Sequence, residues 1–134
     1  MASISDLNTL IRLMKPAARK GRFVFCVIDE ERLAKLKKKP VLVFREREGI
    51  TVVLDEKTAD ENGFSYDSVW SLITLSVHSD LSAVGFLAAV TNALAEAGIS
   101  VNAVSAFHHD HLFVPVGEGK KAVFILNKLS RREN

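Results

Sequence analysis

The stretch that decides the fold is SLITLSVHSDLSAVGFLAAVTNALAEAGISVNAVSAF, residues 71–107. Its first residues alternate between apolar and polar side chains, a pattern that predicts a strand with one buried face. The alternating residues are Ile73, Leu75 and Val77 against Thr74, Ser76 and His78. A helix is predicted from about Ser82 to Ala97, ended by Gly98, and a second strand from Val101 to Phe107. The helix is apolar nearly all round, so we expect a sheet on one side of it and a second helix or another subunit on the other.

The residues after this stretch predict a hairpin and a second helix. His108 to Asp110 form the turn, and His111 to Pro115 form the antiparallel partner strand. A glycine-containing break then precedes an amphipathic helix, which is followed by a polar tail, Ser130 to Asn134. The apolar stripe of that helix is Ala122, Ile125, Leu126 and Leu129. The second half therefore has the order strand, helix, strand, strand, helix.

The first half has a similar order, preceded by an additional helix. Ser3 and Asp6 form a capping-box pattern at the start of that helix, which ends near Pro16. The further predicted elements are strands at Phe23–Ile28, Val41–Phe44 and Ile50–Leu54 and a short helix at Asp55–Asn62. Two helices on one face of an antiparallel sheet are typical of the ferredoxin-like arrangement. The sequence thus predicts an α+β fold of two ferredoxin-like units, each of the order βαββαβ.

The number of strands predicts an exchange between the two halves. The second half ends in polar residues before a fourth strand can form, so another segment must complete its sheet. We expect the halves to exchange strands, with Phe23–Ile28 as a candidate for this position; a strand from a partner chain is the alternative. The division between the units is predicted at residues 1–66 and 67–134.

A cluster of lysines, Lys35, Lys37, Lys38 and Lys39, stands before Pro40. Such a charge run is typical of a solvated helix end or loop, which is the favoured interpretation. A site for phosphate or another anion is the alternative.

The composition is that of a globular protein of the cytoplasm. Of 134 residues, 48% are hydrophobic and 25% are charged, and the formal net charge of +2 is too small to favour a nucleic-acid partner. The single cysteine, Cys26, excludes an intramolecular disulfide and agrees with a reducing compartment. No apolar run is long enough to cross a membrane, and the first residues lack the pattern of a signal peptide. We therefore predict a cytoplasmic location, with neither nucleic acid nor membrane as a partner.

Three segments of the second half resemble the opening strand, loop, helix and second strand of an ACT domain, a regulatory module of amino-acid metabolism. They are Ser71–Ser79, Asp80–Gly85 and Leu94–Asn102. More narrowly, the chain resembles the small stand-alone bacterial proteins built from two ACT-like units, a family of unknown function. The segments that carry this second resemblance are Val24–Cys26, Phe44–Glu46, Gly49–Leu54, His108–His111 and Phe113–Val114.

The resemblance implies a regulatory or sensor protein that binds a small molecule, an amino acid first of all, without catalytic activity or a cofactor. ACT modules pair and hold their ligand near the loop between first strand and first helix, so a homodimer or higher homo-oligomer is implied as well. The residues implied for ligand binding are His78, Ser79, Asp80, Leu81, Ser82, Ala83, Val84 and Gly85. Asn102, on the next strand, is a further candidate; a polar residue on the exposed face of the sheet is the alternative.

The residue types of this loop agree with an amino-acid ligand. The free amide groups and the positive dipole end of a helix suit a carboxylate. Asp80 suits an α-ammonium group, and Gly85 permits a ligand or a neighbouring backbone to approach closely.

Two other functions remain open. One is a pure interaction module whose ACT-like surface has no ligand. The other is a metal-binding protein or metal-dependent enzyme that uses the turn His108-His109-Asp110-His111, with His108 and His111 facing each other across the hairpin as two ligands. A metal site is the less favoured of these, because neighbouring residues on a strand point to opposite faces. The favoured interpretation of the turn is a polar hairpin tip, or a wall of the ligand site or of a dimer interface. A catalytic triad at His78-Ser79-Asp80 is not expected, since adjacent residues cannot form its relay.

Overall fold

The structure is a computed structural model that describes residues 2–132. The helices are α1 Leu7–Leu13, α2 Glu30–Lys35, α3 Glu56–Glu61, α4 Phe86–Glu96 and α5 Gly119–Arg132. The strands are β1 Pro16–Ala18, β2 Phe23–Ile28, β3 Leu42–Arg45, β4 Ile50–Asp55, β5 Val69–Leu75, β6 Asn102–Ser105 and β7 Asp110–Pro115. None of the helices found in residues 2–132 is long and apolar enough to cross a membrane. The predicted α+β class is confirmed.

The chain packs as two units that are interleaved in sequence. The inserted unit is Gly21–Trp70, and the split unit consists of the described residues up to Lys20 together with those from Ser71 onward. The sequence predicts two consecutive ACT-like units, 1–66 and 67–134; that division of the repeats stays a prediction.

The inserted unit is a sheet with one face covered by α2 and α3. Its strand order is β3-β4-β2, both pairs are antiparallel, and Phe23 lies opposite Asp55. Asp29 and Asp55 cap the two helices, accepting hydrogen bonds from the amides of Arg32 at 2.8 Å and Thr58 at 3.0 Å. The buried core consists of Val24, Cys26, Ile28, Ile50, Val52, Leu54 and Ala59. Burial raises the pKa of the Cys26 thiol, in agreement with an inert core cysteine.

The split unit packs three helices, α1, α4 and α5, around one core. Strand β1 pairs antiparallel with β5, β5 lies beside β7, and β7 pairs antiparallel with β6. The buried core consists of Leu10, Ile11, Met14, Ile73, Leu75, Val77, Phe86, Val90, Leu94, Ile99, Leu112, Val114, Ala122 and Leu126. The buried residues of α4, Phe86, Val90 and Leu94, follow at four-residue spacing and share one face, against which α1 and α5 pack. Ala88 and Ala95 are exposed, so the apolar surface of α4 is not covered all round, contrary to the prediction from its sequence.

The predicted exchange of strands between the halves is confirmed, but the strand that completes the sheet differs from the candidate. Pro16–Ala18, from the first half, pairs with β5, with Pro16 opposite Leu75. Phe23–Ile28 instead pairs along its whole length with β4 and reaches β5 only at Phe23 and Val24. The difference follows from the pairing of β2, because all six of its residues lie opposite β4 and only two of them also lie opposite β5.

Several element boundaries also differ from the sequence prediction. Asp6, rather than Ser3, caps α1, accepting a hydrogen bond from the Thr9 amide at 3.0 Å. Helix α4 begins at Phe86, four residues after the predicted Ser82, because the loop before it forms its own turn.

The end of the chain shows two more differences. Asp110 is the first residue of β7 and not the end of the turn. Helix α5 continues through Ser130 to Arg132, where a polar tail was predicted; the Ser130 hydroxyl donates a hydrogen bond to the Arg12 carbonyl at 2.8 Å. The last two residues of that predicted tail, 133 and 134, lie outside the described part of the chain.

Candidate functional site

The amino-terminal segment fastens the loop that follows β5. The Ile4 amide donates to the His78 carbonyl, and the Asp80 amide donates to the Ile4 carbonyl, both at 2.8 Å. The Ser3 hydroxyl adds a hydrogen bond of 3.0 Å to the Asp80 carboxylate. Residues from the two separate sequence segments of the split unit therefore hold one another in place. The loop has a defined shape before any ligand arrives.

Asp80 shapes its own turn. Its carboxylate accepts hydrogen bonds from the Ser82 amide at 2.8 Å and the Ser82 hydroxyl at 2.6 Å. These bonds, followed by the one from Ser3, hold the pKa of Asp80 below its usual value. The predicted partner of an ammonium group is thus already engaged by three donors from the protein.

Helix α4 presents an open amide end to this loop. Its N-cap is Gly85, at φ +91°, and no side chain caps the helix. The Gly85 carbonyl accepts the first intrahelical bond, from the Ala89 amide at 3.0 Å. The amides of the first turn have no partner within the helix and, with the helix dipole, favour negative charge at this end. A side chain would be strained at the φ of Gly85, which accounts for glycine here.

A crevice of about 130 Å³ lies between this loop, the amide end of α4 and the β6–β7 hairpin. Its lining consists of Ser79, Asp80, Leu81, Ala83, Gly85, Phe86, Leu87, Ala88, Ser105, Ala106 and Asp110. Asp110 is only 6% exposed and accepts a hydrogen bond of 2.6 Å from the Ser105 hydroxyl. A buried carboxylate and an amide helix end therefore line the same small space.

The sequence placed Asp110 in a turn that could form a wall of the ligand site, but did not single it out as a ligand-binding residue. The one signal in its favour is an acidic residue at the start of a strand that is otherwise largely apolar, HLFVP. Its partner Ser105 lies directly opposite in the β6–β7 register. That register, and with it the burial of the carboxylate, comes from the hairpin rather than from any local motif.

The structure brings together some of the predicted ligand residues and not others. Ser79, Asp80, Leu81 and Gly85, with Ala83, line the crevice. His78, Ser82, Val84 and Asn102 are not among its lining residues. Asn102 is exposed on β6, opposite Phe113, because the strand register turns it away from the loop.

Three exposed apolar side chains, here called the mouth of the crevice, belong to its lining or adjoin a lining residue along the chain. Leu81 is 65% exposed, Val84 83% and Phe107 67%. Leu81 itself lines the crevice, and Val84 and Phe107 each adjoin a lining residue along the chain. Exposed apolar groups around a concave site favour contact with a ligand or with a partner surface.

All four histidines lie in one row beside this crevice. The ring centroids of His78 and His108 are 5.4 Å apart, those of His108 and His109 6.3 Å, and those of His109 and His111 6.4 Å. The metal hypothesis placed His108 opposite His111. In the structure the histidine ring nearest to His108 is that of His78, and the one nearest to His111 is that of His109. Among residues 2–132, no three His, Cys, Asp or Glu side chains are arranged to hold a metal ion.

Two of these histidines lie within hydrogen-bond distance of residues in β5 or just after it. His109 Nδ1 lies 3.2 Å from the Val77 carbonyl, to which it donates a hydrogen bond when protonated, and His111 Nδ1 lies 3.0 Å from Thr74 Oγ1. Burial, followed by the charge of Arg19, lowers the pKa of His111. The neutral imidazole is therefore the favoured form at this position.

Comparison with known proteins identifies two matches to ACT-domain family models, one at residues 2–71 and one at residues 67–128. Among solved structures, the chain is similar to a Vibrio cholerae protein of unknown function, VC0802, described as a possible transport protein. That match has 37% identity, a TM-score of 0.82, and coverage of 92% of this chain and 95% of the other. A comparison with curated proteins gave no match.

Two more distant structures share the fold. Protein Atu0741 from Agrobacterium tumefaciens has 18% identity and a TM-score of 0.69, with 86% of this chain and 87% of that chain covered. The ligand-free regulatory subunit of aspartate kinase from Thermus thermophilus has 9% identity and a TM-score of 0.69, with 88% and 97% covered.

Proposed function

The chain belongs to the ACT-domain family, and on that premise we propose that it is a sensor that binds a small amino acid and has no catalytic activity of its own. The observation that supports this most directly is the crevice that Asp110 shares with the amide end of α4. The likeness in fold to a regulatory subunit of aspartate kinase supports a regulatory role. The predicted cytoplasmic location stays part of this proposal.

The charges around the crevice favour a zwitterion. In the proposed complex the α-carboxylate of the ligand binds the first-turn amides of α4, where backbone donors and helix dipole both favour an anion. The α-ammonium group binds Asp110, whose carboxylate accepts a hydrogen bond from Ser105 and is almost fully buried. Asp80 keeps its structural hydrogen bonds and shapes the loop, instead of binding the ammonium group as the sequence suggested.

The size of the crevice favours a short side chain. A volume of about 130 Å³ is close to that of an engineered cavity of ~150 Å³ that holds benzene. Roughly six heavy atoms fit in such a space, which is the size of glycine, alanine or serine. A longer side chain would have to leave through the mouth, past Leu81 and Val84.

The exposed apolar mouth also supports association with a second copy of the chain. Leu81, Val84 and Phe107 would be covered there, and a dimer would close the crevice from solvent. A dimer of this kind links ligand binding to oligomeric state, as a sensor requires. The same three residues are what favours the second candidate function, an interaction module that has no ligand.

A ligand screen by thermal unfolding tests the proposal. A molecule that binds only the folded chain stabilises it by about 2.7 kcal/mol at a concentration one hundred times its Kd. We expect glycine, alanine or serine to raise the melting temperature, and leucine, phenylalanine and tryptophan to leave it unchanged. The variant Asp110→Asn should lose this shift, while Asp67→Asn, on an exposed loop of the inserted unit, should retain it.

Three outcomes contradict the proposal in different ways. No shift with any of the twenty amino acids favours the interaction module, above all if the chain is a stable dimer by light scattering. A shift that survives Asp110→Asn contradicts the assigned position of the ammonium group. A shift confined to large amino acids contradicts the argument from volume.

A further inference from the structure

A second crevice, of about 410 Å³, lies in the inserted unit between the carboxyl end of α2 and helix α3. Its lining residues are Lys35, Lys37, Lys38, Asp55, Lys57, Thr58, Glu61 and Asn62. It shares no residue with the crevice at Asp110. Three of its lysines belong to the charge run before Pro40, for which an anion site was the less favoured interpretation of the sequence.

The lining carries a surplus of positive charge. Four ammonium groups face two carboxylates, so its formal surplus of two positive charges equals the net charge of +2 of the whole chain. The remainder of the sequence is balanced. A concave surface with one dominant sign of charge concentrates its field and attracts ions of the opposite sign.

One lysine is held in position by the fold. Lys38 Nζ lies 2.8 Å from Asp55 Oδ2, and Asp55 also caps α3 by accepting a hydrogen bond from the Thr58 amide. Burial raises the pKa of Asp55, but the bonds from Lys38 and Thr58 outweigh it and leave the pKa below its usual value. The carboxylate therefore stays ionised and fixes the Lys38 ammonium group at the end of β4.

Two other lysines of the lining form no salt bridge within residues 2–132. Lys35 pairs with Glu31 at 2.9 Å, one turn away on α2. In the described part of the chain, by contrast, neither Lys37 nor Lys57 forms a salt bridge. Lys37 lies in the loop after α2, and Lys57 lies in the first turn of α3. An anion in this crevice would meet these two ammonium groups and the fixed Lys38, with the Glu61 carboxylate as the remaining acidic group of the lining.

We propose that this crevice binds a small polyphosphate anion, free or as part of a nucleotide. Lysine binds phosphate as a point charge, and several such contacts are needed because each exposed ion pair contributes little and is screened by salt. A singly charged anion would gain too little from these contacts. The volume of about 410 Å³ lies within the ~300–1,000 Å³ range of ordinary ligand pockets, so it admits a nucleotide as well as pyrophosphate.

A calorimetric titration of the full chain with inorganic pyrophosphate tests this inference. We expect saturable binding that weakens with added sodium chloride. The double variant Lys37→Ala/Lys57→Ala should weaken the apparent affinity about tenfold or more. The matched control is Lys120→Ala/Lys121→Ala, which removes the same charge from exposed positions on α5 and should bind as the wild type does.

ATP and adenosine distinguish the two sources of the polyphosphate group. ATP that binds tighter than pyrophosphate supports a nucleotide as the ligand, and equal affinities support free polyphosphate. Equal weakening in the two double variants would overturn the inference, since it would show only a general effect of net charge. Binding of adenosine without any binding of pyrophosphate would overturn it too. These outcomes do not depend on the amino-acid screen.

Discussion

Replacing Leu10 by alanine tests whether the amino-terminal helix is an integral part of the split unit. Leu10 lies on α1 with no exposed surface, in one core cluster with Leu75 of β5 and Leu126 of α5. A consecutive division of the chain would give this helix no reason to be buried among residues of the second half. The substitution therefore examines the interleaved packing at a single side chain.

The size of the effect follows from complete burial. Leucine-to-alanine changes in cores cost about 2–5 kcal/mol, through lost transfer free energy and the cavity left behind. That is a large part of the ~5–15 kcal/mol by which domains are stable. Leu13→Ala is the matched control, because Leu13 lies on the same helix, outside the core cluster, and is 39% exposed. We expect it to cost about 1 kcal/mol or less.

Urea unfolding of both variants measures the free-energy differences, and hydrogen exchange locates them. We expect Leu10→Ala to lower the protection of amides in α4 and in β7. Equal destabilisation by the two substitutions would refute the argument from burial. A loss of protection confined to residues 21–70 would refute the assignment of α1 to the split unit.

Two further predictions concern pH and glycine. The pKa of His111 is lowered by burial and then by Arg19, so the folded state favours the neutral ring and stability should fall as the pH drops below about 6.5. Urea midpoints measured across this range should fall less steeply in His111→Gln; identical slopes would contradict the assignment. Gly85→Ala and Gly98→Ala place side chains at φ +91° and +75°, where neither meets a close contact, so each should cost about 1–2 kcal/mol. Only Gly85→Ala should also reduce the melting-temperature shift with the small amino acid, and equal reductions in both variants would argue against ligand binding at α4.

The sequence predicted the residues that the loop after β5 contributes to the candidate site, and missed Asp110, which the β6–β7 hairpin contributes. Ser79, Asp80, Leu81 and Gly85 were identified through the resemblance of their segment to the ligand loop of an ACT domain, which a short stretch of sequence carries. Asp110 was not, since its burial depends on pairing with Ser105 across the hairpin. The engagement of Asp80 by its own turn and by the amino-terminal segment was equally invisible, because Ser3 lies far away in the chain.

By itself the sequence determined the class of the fold and the order of most of its elements; α2 and β1 were not predicted. Period-two alternation in β5 and the apolar helix after it are short-range patterns, and they persist wherever the segment packs. Only the tertiary structure decided which segment completes which sheet. The three residues Pro16–Ala18 have no strand pattern of their own, and they pair with β5 because α1, buried among α4 and α5, brings them there. Pairing between strands that are distant in sequence depends on which apolar surfaces and strand edges the other elements leave uncovered. It is therefore determined by the packing of the complete core and not by a local pattern.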